Sequence, residues 1–560
     1  MRVSKETFDK IKKRAERLDS EFDGFRKKGA EIQQYVCPWR GRFLTGESEN
    51  EDRGEMFNDK SIHNTMIFQA VQTAAAGIKS GISPSSRPWF RIGSEDKRLA
   101  ELGAPARWLS YVERLIYSIF QRSNVYDALQ EVATEILVFG TGAAAVLPDY
   151  DTVTRMRTFT FGEYRLANDH RRISNTFARK FYMTVDQLVK EFGEEHVTDR
   201  TKKAYRDGNL ETKILVRCLI EPNDDRLDVK DALGRDWRSI YWEHGSTEDS
   251  VLCVRGFEEF PVISSTWEAV GGQVYGIGAG HLNLRNGKRL QKLEEDSLQQ
   301  LALQNKPPLL ANTSNKDTII NAGPWGITRS NDASGSGQPG IAPLYQVRPN
   351  TQELEFKIER VEKAIREGFY NHIFLMIAGN AADIKTAYQA ARMMEEKYSV
   401  LGPVIERMQK MLGQLIQITF AHALDAGLIP EAPRELQGSE LKIEYISILA
   451  QAQKIAGLQA ISETMAFVST ASQIWPEARF KIDALQAVDE VAQVNGAPPS
   501  IIRSDDEVQA MMDQEAKQKA SQQTGQSALM AAEGAQKLKD VEIGGQPAVD
   551  VLAKTMGAGR

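Results

Sequence analysis

The chain is poor in cysteine and carries no excess of basic charge. Its three cysteines, Cys37, Cys218 and Cys253, stand far apart in 560 residues. No CxxC pair and no Cys/His ligand spacing occurs, which argues against a zinc site or a disulfide framework and makes a reducing folding compartment the default. Lys+Arg 70 against Asp+Glu 76 leaves a net charge of -6. A bulk electrostatic grip on nucleic acid is thereby excluded, because it needs a basic domain or stripe. Passage of DNA along a surface that does not hold it is not excluded. No apolar run reaches the roughly 18 residues of a membrane span. The opening MRVSKETFDKIKKRAERLDSEF has no signal-peptide core.

Catalytic constellations are also missing. His63, His170, His196, His244, His281, His372 and His422 are scattered, and none completes HExxH. Neither a GxSxG elbow nor a GxxxxGK[ST] phosphate loop occurs. The run Gly276-Ile277-Gly278-Ala279-Gly280 superficially resembles a dinucleotide turn, but His281 stands where GxGxxG needs its last glycine. A flexible entry to the helix that follows is the better reading. Phe139–Gly142 reads as a helix-to-strand turn. Glu294-Glu295-Asp296 and Asp505-Asp506 are sequence neighbours, which point to different sides of a helix. No catalytic residue, metal site or cofactor is expected, and the chain is read as a non-enzyme.

What is present is a long series of patterned segments, roughly three or four domains' worth by length. Phe8, Ile11, Ala15, Leu18, Phe22 and Phe25 repeat at 3, 4, 3, 4, 3, one face of a helix; docking on its own domain is the favoured reading and packing against a neighbouring subunit the alternative. Helical patterns follow at His63–Gly81 and over 105–138. The period then changes, and Ala143–Leu147, Thr158–Phe161, Lys213–Ile220, Ser239–Trp242 and Val251–Val254 predict short strands. Thr184, Gln187 and Gly193 mark a capping box and stop for a short helix. The first 280 residues thus read as helices leading into a mostly antiparallel α+β unit.

The second half is mainly helical. Residues 283–304 form one helix, roughly 33 Å long. A loop-rich insert, 305–350, surrounds the tip Ser330–Gly340. A second helix runs from Thr351 to about Ile377, with Ile358, Val361, Ile365 and Phe369 as its apolar face. A short break, 378–386, precedes a long helix over about Thr386–Ala426 that contains Gly402-Pro403. Pro403 cannot donate to the Ser399 carbonyl, so a kink without termination is expected there. From 441 the chain reads as helical. The tail after 506 has too few bulky apolar groups for a core of its own.

This order of elements resembles the portal, or head-to-tail connecting, proteins of short-tailed bacteriophages. Similar stretches are FGTGAAAVLPD (139–149), ARKFYMTVDQLVKEFG (178–193), GFEEFPVISSTWEAVGGQVYGIG (256–278), DIKTAYQAARMMEEKYSVLGPVIERMQ (383–409) and NGAPPSIIRSDDEVQA (495–510). Ile277 and Ala279 depart from an Arg and a Pro common in the family.

The resemblance implies a portal-type fold, α+β and mainly helical, assembled as a ring of about twelve copies around a DNA channel. Its parts would be a wing (1–282), a two-helix stem (283–304 and 351–377), an α/β clip (305–350), a tunnel loop (378–386), the kinked helix with a return to the wing (387–480), and a helical crown with the tail (481–560). It implies channel contacts from Asn380, Asp383, Lys385 and Thr386, a kink at Gly402 and Pro403, and partner docking through Trp325, Arg329, Asn331 and Asp332. The implied partners are further copies of the chain, double-stranded DNA in transit, the terminase large subunit, a tail adaptor, and the major capsid and scaffolding proteins, with no membrane. The implied place is a unique capsid vertex of the virion, after synthesis in the bacterial cytoplasm. A non-catalytic helical scaffold or adaptor, which forms no ring, is the alternative. An enzyme built on the 276–280 glycine run is a weaker one.

Overall fold

The computed structural model describes residues 4–46, 61–86, 88–94, 103–224, 226, 234–246, 251–305, 309–311, 341–343, 351–374, 387–437, 441–445, 464–471, 475, 508, 511, 514, 542–543 and 546–547. In chain order come α1 (Lys5–Val36), α2 (Met66–Ile82), β1 (Phe90–Ser94), α3 (Gly103–Arg122), α4 (Val125–Phe139), β2 (Thr141–Asp149), β3 (Val153–Phe159), β4 (Tyr164–Asn168) and β5 (Ser174–Thr184). Then follow α5 (Val185–Phe192), α6 (Asp199–Arg206), β6 (Lys213–Pro222), β7 (Trp237–Glu243), β8 (Val251–Phe257), β9 (Val262–Thr266) and α7 (Ala279–Asn305). After these come β10 (Leu309–Ala311), β11 (Ile341–Pro343), α8 (Thr351–Gly368), α9 (Ala387–Asp425), β12 (Leu441–Tyr445), β13 (Glu542–Ile543) and β14 (Gln546–Pro547).

Two compact units emerge. The first comprises Met1–Arg91, Val112–Pro430 and Ile443–Gln453. The second comprises Ile92–Tyr111, Glu431–Lys442 and Lys454–Arg560. Within the second, residues 464–471 are helical and leave Phe467 exposed, and β13 pairs antiparallel with β14.

The first unit holds a five-stranded sheet in the order β4-β5-β6-β7-β8 and a three-stranded sheet in the order β3-β2-β9. Every neighbouring pair in both is antiparallel. Helix α1 lies on the five-stranded sheet. Its Phe8, Ile11, Ala15 and Leu18 form one core with Ala167, Ala178, Leu219, Ile240, Trp242 and Val251. Each large side chain in that stripe contributes about 1.5–3 kcal/mol by leaving water. The spacing expected for α1 is therefore the spacing of its buried face, and the helix docks on its own domain as expected. The capping box at Thr184 and Gln187 forms as expected, with Gly193 closing α5.

Beyond the apolar stripe α1 makes an ionic contact that the sequence does not announce. Asp19 Oδ1 lies 3.0 Å from Arg165 Nε, and Asp19 Oδ2 lies 3.0 Å from Lys180 Nζ and 3.2 Å from Arg217 Nη2. The three cations belong to β4, β5 and β6, one on each strand. The Arg165 guanidinium also stacks 3.8 Å over the Phe22 ring. One carboxylate thus gathers three cations beneath α1 and pins its register on the sheet.

A buried carboxylate fixes the turn between β3 and β4 and reaches Arg40 in the turn after α1. Glu135 of α4 accepts from Thr160 Oγ1 at 2.8 Å and from the Phe161 N–H at 2.9 Å, with Arg40 Nη1 at 3.4 Å. Burial pushes its pKa up against the pull of Arg40 and those donors.

Several boundaries differ from the sequence reading, each for a local reason. The helix expected over 105–138 is two, α3 and α4. Asn124 between them turns its side chain to the Met156 backbone, donating to its carbonyl at 2.7 Å and accepting from its N–H at 2.9 Å. Strands β4, β5 and β9 were not expected; Arg165 breaks the apolar pattern of β4 and Lys180 that of β5, while β9 is short and largely Ser/Thr. Residues 441–445 are a strand rather than helix, in keeping with the alternation Leu441, Ile443, Tyr445.

Replacing Asp19 with alanine strands three cations under α1 and should cost about 3 kcal/mol. Urea unfolding of the full chain measures this; a loss below about 1 kcal/mol, the range of a surface pair, would show that the cluster does not hold α1.

Candidate functional site

The two glycine segments that stood out in the sequence pack against each other. Gly140 caps α4 in the left-handed conformation, φ 80°. A Cβ on Gly140 would collide with the Gly276 carbonyl, and one on Gly280 with the Val138 carbonyl. A Cβ on Gly276 would lie 2.5 Å from Gly140 O, and one on Gly278 2.6 Å from Gly140 N and Leu137 O. Hydrogen bonds complete the junction: Gly276 N–H donates to Thr141 Oγ1 at 2.8 Å, Trp267 N–H to Gly140 O at 2.9 Å, and Ile277 N–H to Glu268 O at 2.9 Å. The run is a close backbone contact, not the flexible entry expected of it.

From this junction α7 departs and later returns as α8, the two helices packing together. Gly368 of α8 leaves room for Asn283 of α7. The turn before α2 ties both helices down. Buried Gln291 accepts from His63 N–H at 2.6 Å and Asn64 N–H at 2.9 Å, while Asn64 Nδ2 donates to Glu294 at 2.8 Å and Glu362 at 3.2 Å. The insert between the helices closes at its base, where Leu309 pairs with Pro343 and Ala311 with Ile341.

His281, at the head of α7, accepts from the Gly278 N–H at 3.2 Å through Nδ1. Burial, with Lys28 nearby, lowers its pKa to about 4. It is a neutral packing group at neutral pH.

Helix α9 runs through Pro403 without ending. Past the proline, Val404, Met408, Met411, Leu415 and Ile418 are all buried, the face the sequence assigned. Arg407 ties this half to the junction: its Nε donates to Thr266 O at 3.1 Å, and its Nη2 donates to Trp267 O. Gly402 has no atom within 4 Å of a Cβ position. The helix expected over 351–377 ends as α8 at Gly368; Phe369 and Tyr370 form a turn, and 371–374 resume helix.

Of the site residues the resemblance implied, Gly402 and Pro403 sit within α9. Asn380, Asp383, Lys385 and Thr386 lie outside the described residues, as do Trp325, Arg329, Asn331 and Asp332. Among the described residues no group of three or more His, Cys, Asp or Glu side chains could hold a metal ion, and no helix is long and apolar enough to cross a membrane. Arg407 and Thr141 were missed. Neither carries a local signal, since each serves a segment distant in sequence.

Gly276→Ala should destabilise the chain by about 3 kcal/mol through backbone overlap, whereas Gly402→Ala should be neutral or stabilise by up to ~1 kcal/mol through helix propensity. Denaturant midpoints of the two variants test this, and equal effects would contradict it. For His281, the unfolded state takes up a proton that the folded state refuses. Stability should be complete above pH 6.5 and fall towards pH 4. His281→Gln should flatten that slope; an unchanged slope would assign it elsewhere.

Residues 8–502 match the family described as bacteriophage head to tail connecting protein. The chain is 33% identical to the "Portal protein" of Salmonella phage epsilon15 over 553 residues, covering 98% of each chain. It is 33% identical to the "Probable portal protein" of Bordetella phage BPP-1 over 521 residues, covering 93% of each. Among solved structures, a chain in the neck of an empty gene transfer agent particle aligns at a TM-score of 0.36 with 10% identity, over 76% of this chain and 90% of that one. A chain in the virion of a native gene transfer agent aligns at 0.35 with 10% identity, over 78% and 94%. Both structural likenesses are too distant to define the fold. The sequence match spans the glycine junction, the helix pair and the proline-bearing helix alike: the chain belongs to the bacteriophage head to tail connecting protein family.

Proposed function

We propose that the chain is a portal subunit, copies of which assemble into a ring of about twelve at one capsid vertex, through which double-stranded DNA is packaged and ejected. The observation that carries the self-assembly is the far end of the α7/α8 pair. Leu284 and Gln291 are buried on one face of α7, and Leu298 continues that face at seven-residue spacing. Leu298 is nevertheless 55% exposed and Leu301 44%, while Phe356 on α8 is 64% exposed. The helices extend past the elements that cover their roots. A neighbouring copy in a ring would cover what is left bare. Arg285, Arg289, Glu355, Glu359 and Arg360 are exposed without an ion pair among the described residues, so the pair offers both signs of charge to such a neighbour.

In this reading residues 1–282 are the wing and the α7/α8 pair is the stem. The insert 305–350 is the clip that docks the terminase large subunit and then the tail adaptor, using Trp325, Arg329, Asn331 and Asp332. Residues 378–386 are the channel loop, with Asn380, Asp383, Lys385 and Thr386 facing DNA, and Gly402-Pro403 bends the helix behind it. Residues 481–560 form the crown and tail, and capsid and scaffolding proteins bind from outside. The net charge of -6 per copy suits a channel, because each phosphate neutralised would release counterions and hold the DNA. The subunit performs no catalysis, and packaging energy comes from a separate ATPase.

Light scattering with negative-stain imaging tests the reading. A particle near about twelve times 62.6 kDa with a central hole is expected, and Phe356→Asp should shift it to smaller species without lowering the melting temperature. A monomer or dimer that persists after scaffolding protein is added would favour the adaptor reading instead.

A further inference from the structure

The turn between α8 and the helical residues 371–374 contains two unfavourable features side by side. Tyr370 adopts φ 58°, the left-handed region that favours glycine. The next residue, Asn371, is 4% exposed, and its buried Oδ1 accepts no hydrogen bond. The backbone pairing breaks here as well. Tyr370 N–H donates to Glu367 O at 3.0 Å, and Ile373 N–H and Phe374 N–H both turn to Tyr370 O, at 2.9 and 3.4 Å. In a continuous helix Asn371 N–H would reach Glu367 O and His372 N–H would reach Gly368 O; neither bond is made.

No proline forces the break, although Gly368, which lowers helix preference, stands directly before the turn. The sequence has no proline between Thr351 and Phe374, and the apolar stripe Ile358, Val361, Ile365, Phe369 carries straight into the turn. On an uninterrupted helix Tyr370 and Asn371 would fall on the polar side with Arg360, Lys363 and Glu367. That form would relieve the Tyr370 backbone and return the Asn371 carbonyl to water. Against it stand the contacts of the bent form. Phe369, Ile373 and Phe374 are buried, Tyr370 packs on Trp267 with ring centroids 5.9 Å apart, and Phe374 lies directly against Gly77 of α2. Apolar burial on one side thus opposes backbone strain and an unmet acceptor on the other, effects of similar size.

We infer that Phe369–Asn371 is a two-state joint, bent in the structure and able to close into one uninterrupted helix from Thr351 through Phe374. The inference stands on the joint alone and holds whether or not the chain forms a ring. Its consequence is a reorientation of residues 371–374 relative to α8.

The test is a pair of substitutions that remove the same ring and differ only in backbone preference. Tyr370→Gly accepts the left-handed conformation and should lock the bend. Tyr370→Ala resists it and favours helix. Spin labels at Glu355→Cys and His372→Cys, both exposed, report the joint in the full-length chain with Cys253→Ser; Cys37 and Cys218 are buried. On a continuous helix the two Cα positions lie roughly 25 Å apart. The wild type should show that distance and a shorter one. Tyr370→Gly should retain only the shorter, and Tyr370→Ala should enrich the longer at least severalfold. Circular dichroism confirms that both variants fold. One distance, shared by all three proteins, would overturn the joint.

Discussion

The first unit depends on backbone meeting backbone without intervening side chains. Where α4 ends and β2 begins, Gly140 leaves room for the Gly276 carbonyl, and Gly276, Gly278 and Gly280 lie against residues 137–140. Any Cβ at these points would overlap main-chain atoms, which cannot rotate away as a side-chain tip can. The close approach allows Thr141 to take the Gly276 N–H and Gly140 to take the Trp267 N–H. It also sets the point from which α7 leaves. Arg407 then joins the end of β9 to α9, so three elements far apart in sequence share one small region.

Around that junction the fold is stiffened by charges placed where apolar groups would be expected. Asp19 holds Arg165, Lys180 and Arg217, and Glu135 holds the turn between β3 and β4. Such ion clusters add little net stability over apolar packing, but removing one partner leaves buried charge uncompensated. A rigid root of this kind suits the long helices that rise from it. Their roots are tied by Gln291 and Asn64, and their far ends keep large apolar side chains in water. The polar ties are concentrated at the base, and the exposed apolar side chains at the far ends.

Much of this was legible in the sequence. The 3,4 repeat of Phe8 to Phe22 gave the buried face of α1, Thr184 and Gln187 gave the cap of α5, and the stripe from Val404 to Ile418 showed that Pro403 does not end its helix. These signals are local: period, cap and breaker act within a few turns. What escaped was non-local. Arg165 and Lys180 look like surface residues until Asp19, distant in sequence, is placed above them, so β4 and β5 were hidden. The two glycine segments were noticed separately as turns, and only the fold shows each to be the other's partner. The bend at Tyr370 escaped because the apolar periodicity runs on through Phe369 with no proline to mark a stop, and tertiary burial of Phe374 prevails.

Amide hydrogen exchange at Trp267, Gly276 and Ile277 tests the central claim most directly. If the glycine contact organises the first unit, these amides are protected to the limit of global unfolding, alongside the interior of the five-stranded sheet. Rapid exchange at all three, with the sheet still protected, would show that the run is a loose turn and that α7 is positioned by something else.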